Sequence, residues 1–462
     1  MTTTKRWYNS ISLNSMGKTT FILLMAFPFL CVNMPDNRPL SVLNRLKNAR
    51  RNIETVIGQL SQRFNMQKVR ARDLWHLSHR FMRKILAHNF CFVINKQLGN
   101  PPLQFELLIS SWEWGIFYNF EHPDNFGLNS FEKLYADIEQ RVSALTGKIY
   151  FIFDEIQEVK AWQKLVNGLR VAFNADIYIT GSNANLLSGG LATYLAGRYM
   201  EMTVYPLSFA EFVAFSRELG NTKHDELLFQ EYLKWGGFPN LPSIDNELIK
   251  RDILKGIYSS IVLKDVASRG AIREMAMLER VIAYLLDIIG QSVSVKKIAD
   301  TLTSAGTKAN STSIDNYIGL LKESFIFYEA NRYDIRGKAR LKTGAKYYVV
   351  DTGLRNTVLG QVGNLGSQLE NIIFMELKRR GYEVFVGKLD SEEIDFVCFR
   401  GEEKEYFQVA YQLPVDSDRE QRNLLHITDN YKKTIITLNR MDVGVIEGIQ
   451  VVHAVDWLLV DS

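Results

Sequence analysis

Two adjacent acidic residues, Asp154 and Glu155, directly follow an apolar stretch and are the first candidates for chemistry in this chain. The stretch at 148–153 is short and apolar, as is typical of a buried central strand of a parallel sheet. Acids at the carboxyl end of such a strand lie where open α/β sheets bind ligands. In a nucleotide hydrolase, Asp154 would hold Mg²⁺ through water and Glu155 would orient or deprotonate the attacking water. For this pair alone, the alternative is a core strand that runs into an acidic loop.

The segment after the acids predicts a second strand beside the first. Residues 162–170 have a helical period, and residues 175–180 read as a strand that leads into Gly181, Ser182 and Asn183. Two strands joined by one helix form a right-handed βαβ unit. A polar side chain at the end of the second strand could sense a γ-phosphate, and we expect Ser182 or Asn183 in that role.

Five short motifs follow one another in a fixed order. They are DEIQ at 154–157, Trp162, TGSN at 180–183, GRY at 197–199 and YPLSFAEF at 205–212. In this order they resemble a group of prokaryotic AAA-type ATPases that carry a restriction-endonuclease-like domain at the carboxyl end, and the resemblance runs from about Gly115 to the end of the chain. It implies a P-loop NTPase that binds ATP and Mg²⁺. It also implies that Arg198 is an arginine finger, which would act on the γ-phosphate of a neighbouring subunit in a homo-oligomer.

The phosphate-binding loop of such an ATPase has the form GxxxxGK[ST], in which backbone N–H groups cradle the phosphates. The candidate is the stretch at 12–19, where Gly17, Lys18 and Thr19 would contact the nucleotide and the Thr19 hydroxyl would join Asp154 in holding Mg²⁺. Ser12 replaces the first glycine, and the distance along the chain to Asp154 is much longer than in compact members of the group. Two explanations stay open: a displaced working loop with a long insertion after it, or a decayed or wrongly framed amino terminus up to about residue 112.

Composition indicates an ordinary cytoplasmic protein. The net charge of +4 over 462 residues is too small to indicate a nucleic-acid partner by itself, so local clusters must carry that prediction. The three cysteines are far apart and odd in number, which argues against a disulfide framework or a zinc site. The apolar run at 21–32 is shorter than the roughly 20 residues that span a bilayer, so we expect a buried helix and no membrane partner.

Beyond the ATPase core the sequence turns helical and then predicts a winged helix. Two amphipathic helices at 294–302 and 311–321 are joined by a short polar link, as in a helix-turn-helix, and strands at 325–330 and 346–350 would complete it. Cations between these strands could neutralise the phosphates of duplex DNA; we take Arg336, Lys338, Arg340 and Lys342 as the candidates. The alternative is a winged helix that serves as a packing module.

The last hundred residues resemble the PD-(D/E)xK nuclease fold, which implies a metal site built on a helix and a hairpin. Glu370 matches the helix acid and Asp395 matches the acid of the first hairpin strand, whereas Gln408 and Ala410 stand where that fold has a glutamate and a lysine. Side chains two apart on a strand share a face, which sets this correspondence. With an amide for a carboxylate and no lysine at Ala410, we expect a nuclease-like remnant that does not cut DNA, unless Lys378 supplies a displaced charge.

The expected fold is therefore an α/β protein with a P-loop NTPase parallel sheet, a helical lid, a winged helix and a restriction-endonuclease-like α/β domain. The expected segments are an atypical amino-terminal region at 1–112, the AAA-type core at 113–215, the lid at 216–290, the winged helix at 291–356 and the nuclease-like domain at 357–462. The function predicted is an ATPase coupled to DNA or partner binding. The alternative is a non-hydrolysing DNA-binding or protein-interaction scaffold with a decayed P-loop.

Overall fold

The computed structural model describes residues 115–143, 145, 147–181, 199–267, 274–307, 309–414 and 418–460. Several predicted features lie outside these residues. They are the segment 1–112 with Gly17, Lys18 and Thr19, the sensor candidates Ser182 and Asn183, and the finger candidate Arg198.

Three parallel strands form the first sheet: β1 (Gly115–Asn119), β2 (Ile149–Asp154) and β3 (Ala175–Ile179), in the order β1-β2-β3. Helix α1 (Phe131–Val142) connects β1 to β2, and α2 (Trp162–Ala172) connects β2 to β3. The predicted strand–helix–strand unit is confirmed.

The apolar residues of these elements explain why they form. Alternate side chains of β2 are buried, and α2 buries four side chains at helical spacing, as expected for a helix with one apolar face. The four are Trp162, Leu165, Val166 and Leu169. Strand β2 ends at Asp154, so this acid lies at the carboxyl end of the sheet.

A helical segment follows. It contains α3 (Phe209–Glu218), α4 (Asp225–Trp235), α5 (Glu247–Ser260), a π-helical turn (Ile261–Ala267), α6 (Met275–Asp287), α7 (Val295–Ser304) and α8 (Ser311–Glu323). Helix α3 begins with a capping box, in which Ser208 and Glu211 each accept a hydrogen bond from the other's backbone N–H. Helices α7 and α8 occur where the helix-turn-helix was predicted, and their inward side chains, such as Ile298 and Ile314, pack in one core with α6.

The second sheet has eight strands. These are β4 (Phe327–Asp334), β5 (Ala339–Val349), β6 (Glu383–Leu389), β7 (Glu392–Arg400), β8 (Glu403–Ala410), β9 (Lys432–Thr437), β10 (Gly444–Ile446) and β11 (Ile449–His453). Their order across the sheet is β10-β11-β9-β8-β7-β6-β4-β5. Four further helices accompany these strands: α9 (Thr352–Leu359), α10 (Leu365–Arg379), α11 (Arg419–Leu425) and α12 (Ala454–Leu459).

The hairpin predicted as a wing belongs to this sheet. Strand β4 pairs with β5 antiparallel and with β6 parallel, so that Arg332 lies opposite Val386. Ala330 and Tyr348 of the hairpin pack in the same core as Leu369 and Phe396. The hairpin is thus structurally continuous with the strands that follow it, while the winged helix, the nuclease-like domain and the segment boundaries stay predictions.

Within the part of the chain that the structure describes, no helix is both long and apolar enough to cross a membrane.

Candidate functional site

The Asp154 carboxylate lies at the carboxyl end of the first sheet and is held from both sides. Asn119 Nδ2 donates a hydrogen bond to Asp154 Oδ2 at 2.8 Å, and Thr180 Oγ1 donates one to Asp154 Oδ1 at 2.6 Å. Because Asn119 ends β1 and Thr180 directly follows β3, each neighbouring strand of β2 contributes one of the two donors. The carboxylate is therefore fixed in one orientation.

Backbone hydrogen bonds beyond the strand ends bring these residues together. Phe120 N–H donates to the Asp154 carbonyl at 3.1 Å, and Thr180 N–H donates to the Phe153 carbonyl at 2.9 Å. The carboxyl ends of parallel strands meet at one edge of a sheet. At this edge, Asn119 and Thr180 lie on either side of Asp154 and donate hydrogen bonds to it.

Glu155 adopts a left-handed backbone conformation directly after β2, with φ 58° and ψ 46°. Only a few per cent of non-glycine residues have positive φ, and such strain of about 1–3 kcal/mol clusters at functional sites. The residue is buried, its N–H donates to Thr180 Oγ1 at 3.4 Å, and its Oε2 accepts a hydrogen bond from Gln157 Nε2. Thr180 thus contacts both acids.

The Asp154 carboxylate is arranged to bind a divalent cation through water molecules. Each Asp154 oxygen that accepts from Asn119 or Thr180 keeps a second lone pair, which can accept from a water of a hydrated Mg²⁺. Among the described residues, no group of three His, Cys, Asp or Glu side chains converges to bind a metal directly. A single oriented carboxylate with an acid beside it therefore fits Mg²⁺ held through water.

The sequence predicted roles for the two acids but none for the residues that bond to them in the structure. Asn119 and Thr180 were not among the predicted site residues, although Thr180 opens the TGSN motif and stands one strand after the acids. The predicted sensor positions, Ser182 and Asn183, fall just beyond it, outside the described residues.

Two of the residues predicted to form a nuclease-like remnant, Asp395 and Gln408, lie on neighbouring strands of the second sheet. Asp395 on β7 donates its N–H to Gln408 Oε1 at 3.2 Å and accepts from Val409 N–H at Oδ2, at 2.8 Å. Gln408 Nε2 donates to Glu420 Oε2 at 2.6 Å, so the amide of Gln408 is bonded at both ends. Burial, followed by the charge of Glu370, raises the pKa of Asp395 above its usual range. Asp395 and Gln408 are therefore buried and bonded to each other, whereas the half-buried Glu370 bonds to Lys346 and Tyr348.

The four DNA-binding candidates lie on the β4–β5 hairpin, and two of them already have acidic partners. Arg336 pairs with Asp390 at 2.8 Å, and Arg340 pairs with Glu383 at 2.8 Å. Lys338 occupies the turn with φ 49°, and the side chain of Lys342 lies outside what the structure describes. Exposed pairs of this kind are worth little free energy, so the two arginines stay accessible to a stronger anion.

The region that contains the first sheet is similar to a known domain family. Residues 104–213 match an AAA domain family, and residues 226–364 match a domain of unknown function, DUF8612. Among solved structures, a Walker-type ATPase of Pyrococcus abyssi matches with 14% identity and a TM-score of 0.34, over 56% of this chain and 87% of that one.

Two relatives match most of their own length. An uncharacterized protein of Haemophilus influenzae is 48% identical over 345 residues, 74% of this chain and 86% of the relative. An uncharacterized protein of Methanocaldococcus jannaschii is 35% identical over 312 residues, 64% of this chain and 68% of the relative. The chain belongs to the family of these two proteins, and the match of residues 104–213 to an AAA domain supports a relation to P-loop ATPases.

Proposed function

We propose that the protein binds ATP with Mg²⁺ and hydrolyses it at the edge of the first sheet where Asp154 and Glu155 lie. The observation that carries this proposal is the Asp154 carboxylate held between Asn119 and Thr180, with Glu155 next to it in a left-handed turn. The AAA domain match over 104–213 supports the same reading.

The roles follow from the contacts. Bound Mg²⁺ would neutralise charge on the phosphates, and Asp154 would hold its water shell. Glu155 would accept a proton from the attacking water. Because Glu155 is buried, bulk water competes little with the attacking water for its carboxylate. Thr180 positions both acids, because its hydroxyl donates to Asp154 and accepts from the Glu155 N–H.

Residues outside the described part complete the proposal. Gly17, Lys18 and Thr19 would bind the phosphates, Ser182 or Asn183 would sense the γ-phosphate, and Arg198 would reach the site of a neighbouring subunit. Coupling to duplex DNA belongs to the same proposal, and it is supported by the exposed cations of the β4–β5 hairpin.

The decisive experiment compares Glu155→Gln with Glu158→Gln in the full chain. Glu158 is an exposed acid three residues further on, so the control makes the same chemical change outside the site. We expect Glu155→Gln to reduce ATP turnover by about 100-fold or more while a fluorescent ATP analogue still binds, because the lost group acts on water rather than on the nucleotide. Glu158→Gln should turn over ATP like the wild type.

Two results would contradict the proposal. Equal turnover in Glu155→Gln and the wild type would remove Glu155 from the mechanism. A wild-type protein whose melting temperature is unchanged by ATP with Mg²⁺, and which releases no phosphate, would favour the non-hydrolysing scaffold.

A further inference from the structure

A buried lysine, Lys346 on β5, lies among three carboxylates of the second sheet. Its Nζ is 2.9 Å from Glu370 Oε1 on α10, 2.9 Å from Glu393 Oε1 and 3.6 Å from Asp395 Oδ1 on β7. Only 3% of the Lys346 side chain is exposed. We call Lys346, Glu370, Glu393 and Asp395 the lysine–carboxylate cluster.

Each carboxylate of the cluster also accepts a hydrogen bond from a group other than the lysine, at the second oxygen in Glu393 and Asp395 and at the same oxygen in Glu370. Tyr348 Oη donates to Glu370 Oε1 at 2.6 Å, and Ser292 Oγ donates to Glu393 Oε2 at 3.1 Å. Asp395 Oδ2 accepts from the Val409 N–H. Every acid therefore has the lysine as one partner and a hydroxyl or backbone N–H as another.

The lysine is charged in this position. Burial alone favours the neutral amine, but three carboxylate oxygens lie within 3.6 Å of the Nζ atom and favour the ammonium. An ammonium group has three N–H donors, and three carboxylates surround this one. Without it, several acids would be buried with no compensating positive charge, which proteins avoid.

We propose that Lys346 is the resident cation of this cluster and that its ammonium makes the cluster independent of divalent metal. A Mg²⁺ or Mn²⁺ ion bound by the same oxygens at about 2.1 Å would lie within a few ångströms of the ammonium, where like charges repel strongly in a buried site. Lysine and metal would compete for the same acceptors.

Lys346 gives the cluster a positive charge that the order of residues along the sequence does not reveal. The lysine expected at Ala410 is absent, and Lys378 is not the residue that replaces it; the ammonium comes from β5, before Glu370 in the chain. Because that ammonium is buried and bonded to carboxylates, it is unavailable to a phosphate group.

The test is a gain of metal binding in Lys346→Ala, with Lys378→Ala as the matched control on α10. Both are made in full-length Asp154→Asn protein, which removes the acid proposed for Mg²⁺ in the ATPase site. We expect Lys346→Ala to bind about one Mn²⁺ per chain, seen as loss of the free Mn²⁺ signal in electron paramagnetic resonance, since the three carboxylates, freed from the ammonium, can move together around a cation. Its melting temperature should then rise by several degrees on adding Mn²⁺, whereas Asp154→Asn alone and the Lys378→Ala control should show neither effect.

Either of two results would overturn the proposal. One is stoichiometric Mn²⁺ binding by the Asp154→Asn protein that is lost when Asp395→Asn is added. The other is a folded Lys346→Ala protein that binds no Mn²⁺. If Lys346→Ala folds only when Mn²⁺ is present, the proposal is supported, and if it does not fold at all, the measurement on Asp154→Asn with and without Asp395→Asn decides.

Discussion

At the scale of single residues, Thr180 is the side chain that contacts both acids of the proposed ATPase site. Its hydroxyl bonds to Asp154 at 2.6 Å and lies 3.4 Å from the Glu155 backbone nitrogen. We expect Thr180→Val, which keeps the shape and removes the hydroxyl, to lower ATP turnover by about 10- to 100-fold, the usual cost of losing a group that orients a metal-binding residue. Thr180→Ser keeps the hydroxyl and should retain most of the activity. Equal turnover in the two variants would show that the hydroxyl does not position the acids.

A second residue, Asp351, is expected to make the stability of the protein depend on pH. Its buried carboxylate accepts from the N–H groups of Gly237 at 2.6 Å and Gly353 at 2.9 Å, and burial nevertheless raises its pKa from 3.8 to about 6. A raised pKa means that the folded state binds the proton more tightly than the unfolded state. The contribution of Asp351 to stability is therefore fully present below pH 3.8 and is lost as the pH rises through about 6.

Comparison with Asp351→Asn, which does not titrate, isolates this contribution. The free energy of unfolding of the wild type relative to that of Asp351→Asn should fall by on the order of 3 kcal/mol between acidic and neutral pH. Denaturant unfolding at several pH values measures it. A difference that stays constant with pH would mean that Asp351 has an ordinary pKa.

Only some residues of the two candidate sites could be predicted from the sequence. Asp154 and Glu155 were predictable because the apolar run and the acids are contiguous. Asn119 and Thr180 were not, because their roles depend on which strands flank β2, and that order is a property of the sheet. Lys346 was hidden for the same reason, since its partners lie on α10 and β7.

At the scale of elements, the end of α4 is fixed by close backbone contacts. Two glycines follow the helix: Gly236 comes directly after Trp235 with φ 77°, and Leu207 N–H donates to the Gly237 carbonyl at 2.8 Å. A Cβ added at Gly237 would lie 2.3 Å from the Leu207 carbonyl oxygen. The backbone there has no room for any side chain.

Gly237→Ala should therefore destabilise the protein by about 2 kcal/mol or more, since overpacking against backbone forces a shift of the chain. Gly319→Ala is the matched control, because nothing lies within 4 Å of a Cβ at that helical position. The control should be neutral or more stable by about 0.5–1 kcal/mol, because alanine favours a helix over glycine. Chemical denaturation of both variants measures the difference, and similar midpoints would contradict the prediction.

The β4–β5 hairpin yields a prediction about duplex DNA. Contacts from Arg336, Lys338, Arg340 and Lys342 to phosphates would give affinity that falls steeply with salt and is nearly independent of sequence. Replacing all four by alanine should weaken binding, measured by fluorescence anisotropy at several salt concentrations. Replacing their partners by Asp390→Asn and Glu383→Gln should tighten it, since the arginines then lose their competing acids. Unchanged affinity in both variants would exclude the hairpin as the DNA contact.

At the scale of the whole molecule, the proposed role of Arg198 requires more than one chain. A finger that acts on a neighbour's nucleotide makes specific activity rise with protein concentration. Mixing Arg198→Ala chains with Glu155→Gln chains should restore part of the turnover that each lacks alone, because some sites then combine an intact Glu155 with an intact Arg198. Absence of complementation in a mixture that forms mixed oligomers would favour a structural role for Arg198.

The positions of many helices and strands were predictable from the sequence, but the pairing of distant strands was not. The βαβ unit, the paired helices α7 and α8 and the hairpin β7–β8 all follow from local periodicity and turn residues. The parallel pairing of β4 with β6 does not, because about fifty residues separate the paired positions and no local pattern encodes such a long-range register.

That parallel ladder has an evolutionary consequence. The pairing of Arg332, Tyr333 and Asp334 with Val386, Gly387 and Lys388 unites a hairpin from the region matched to DUF8612 with strands that lie beyond it. A recombination event that replaced one region by an unrelated segment would leave an unpaired strand edge on the region that remains, and such edges promote aggregation. We therefore expect the two regions to be inherited together, and we expect substitutions in β4 that disturb this pairing to be accompanied by compensating substitutions in β6.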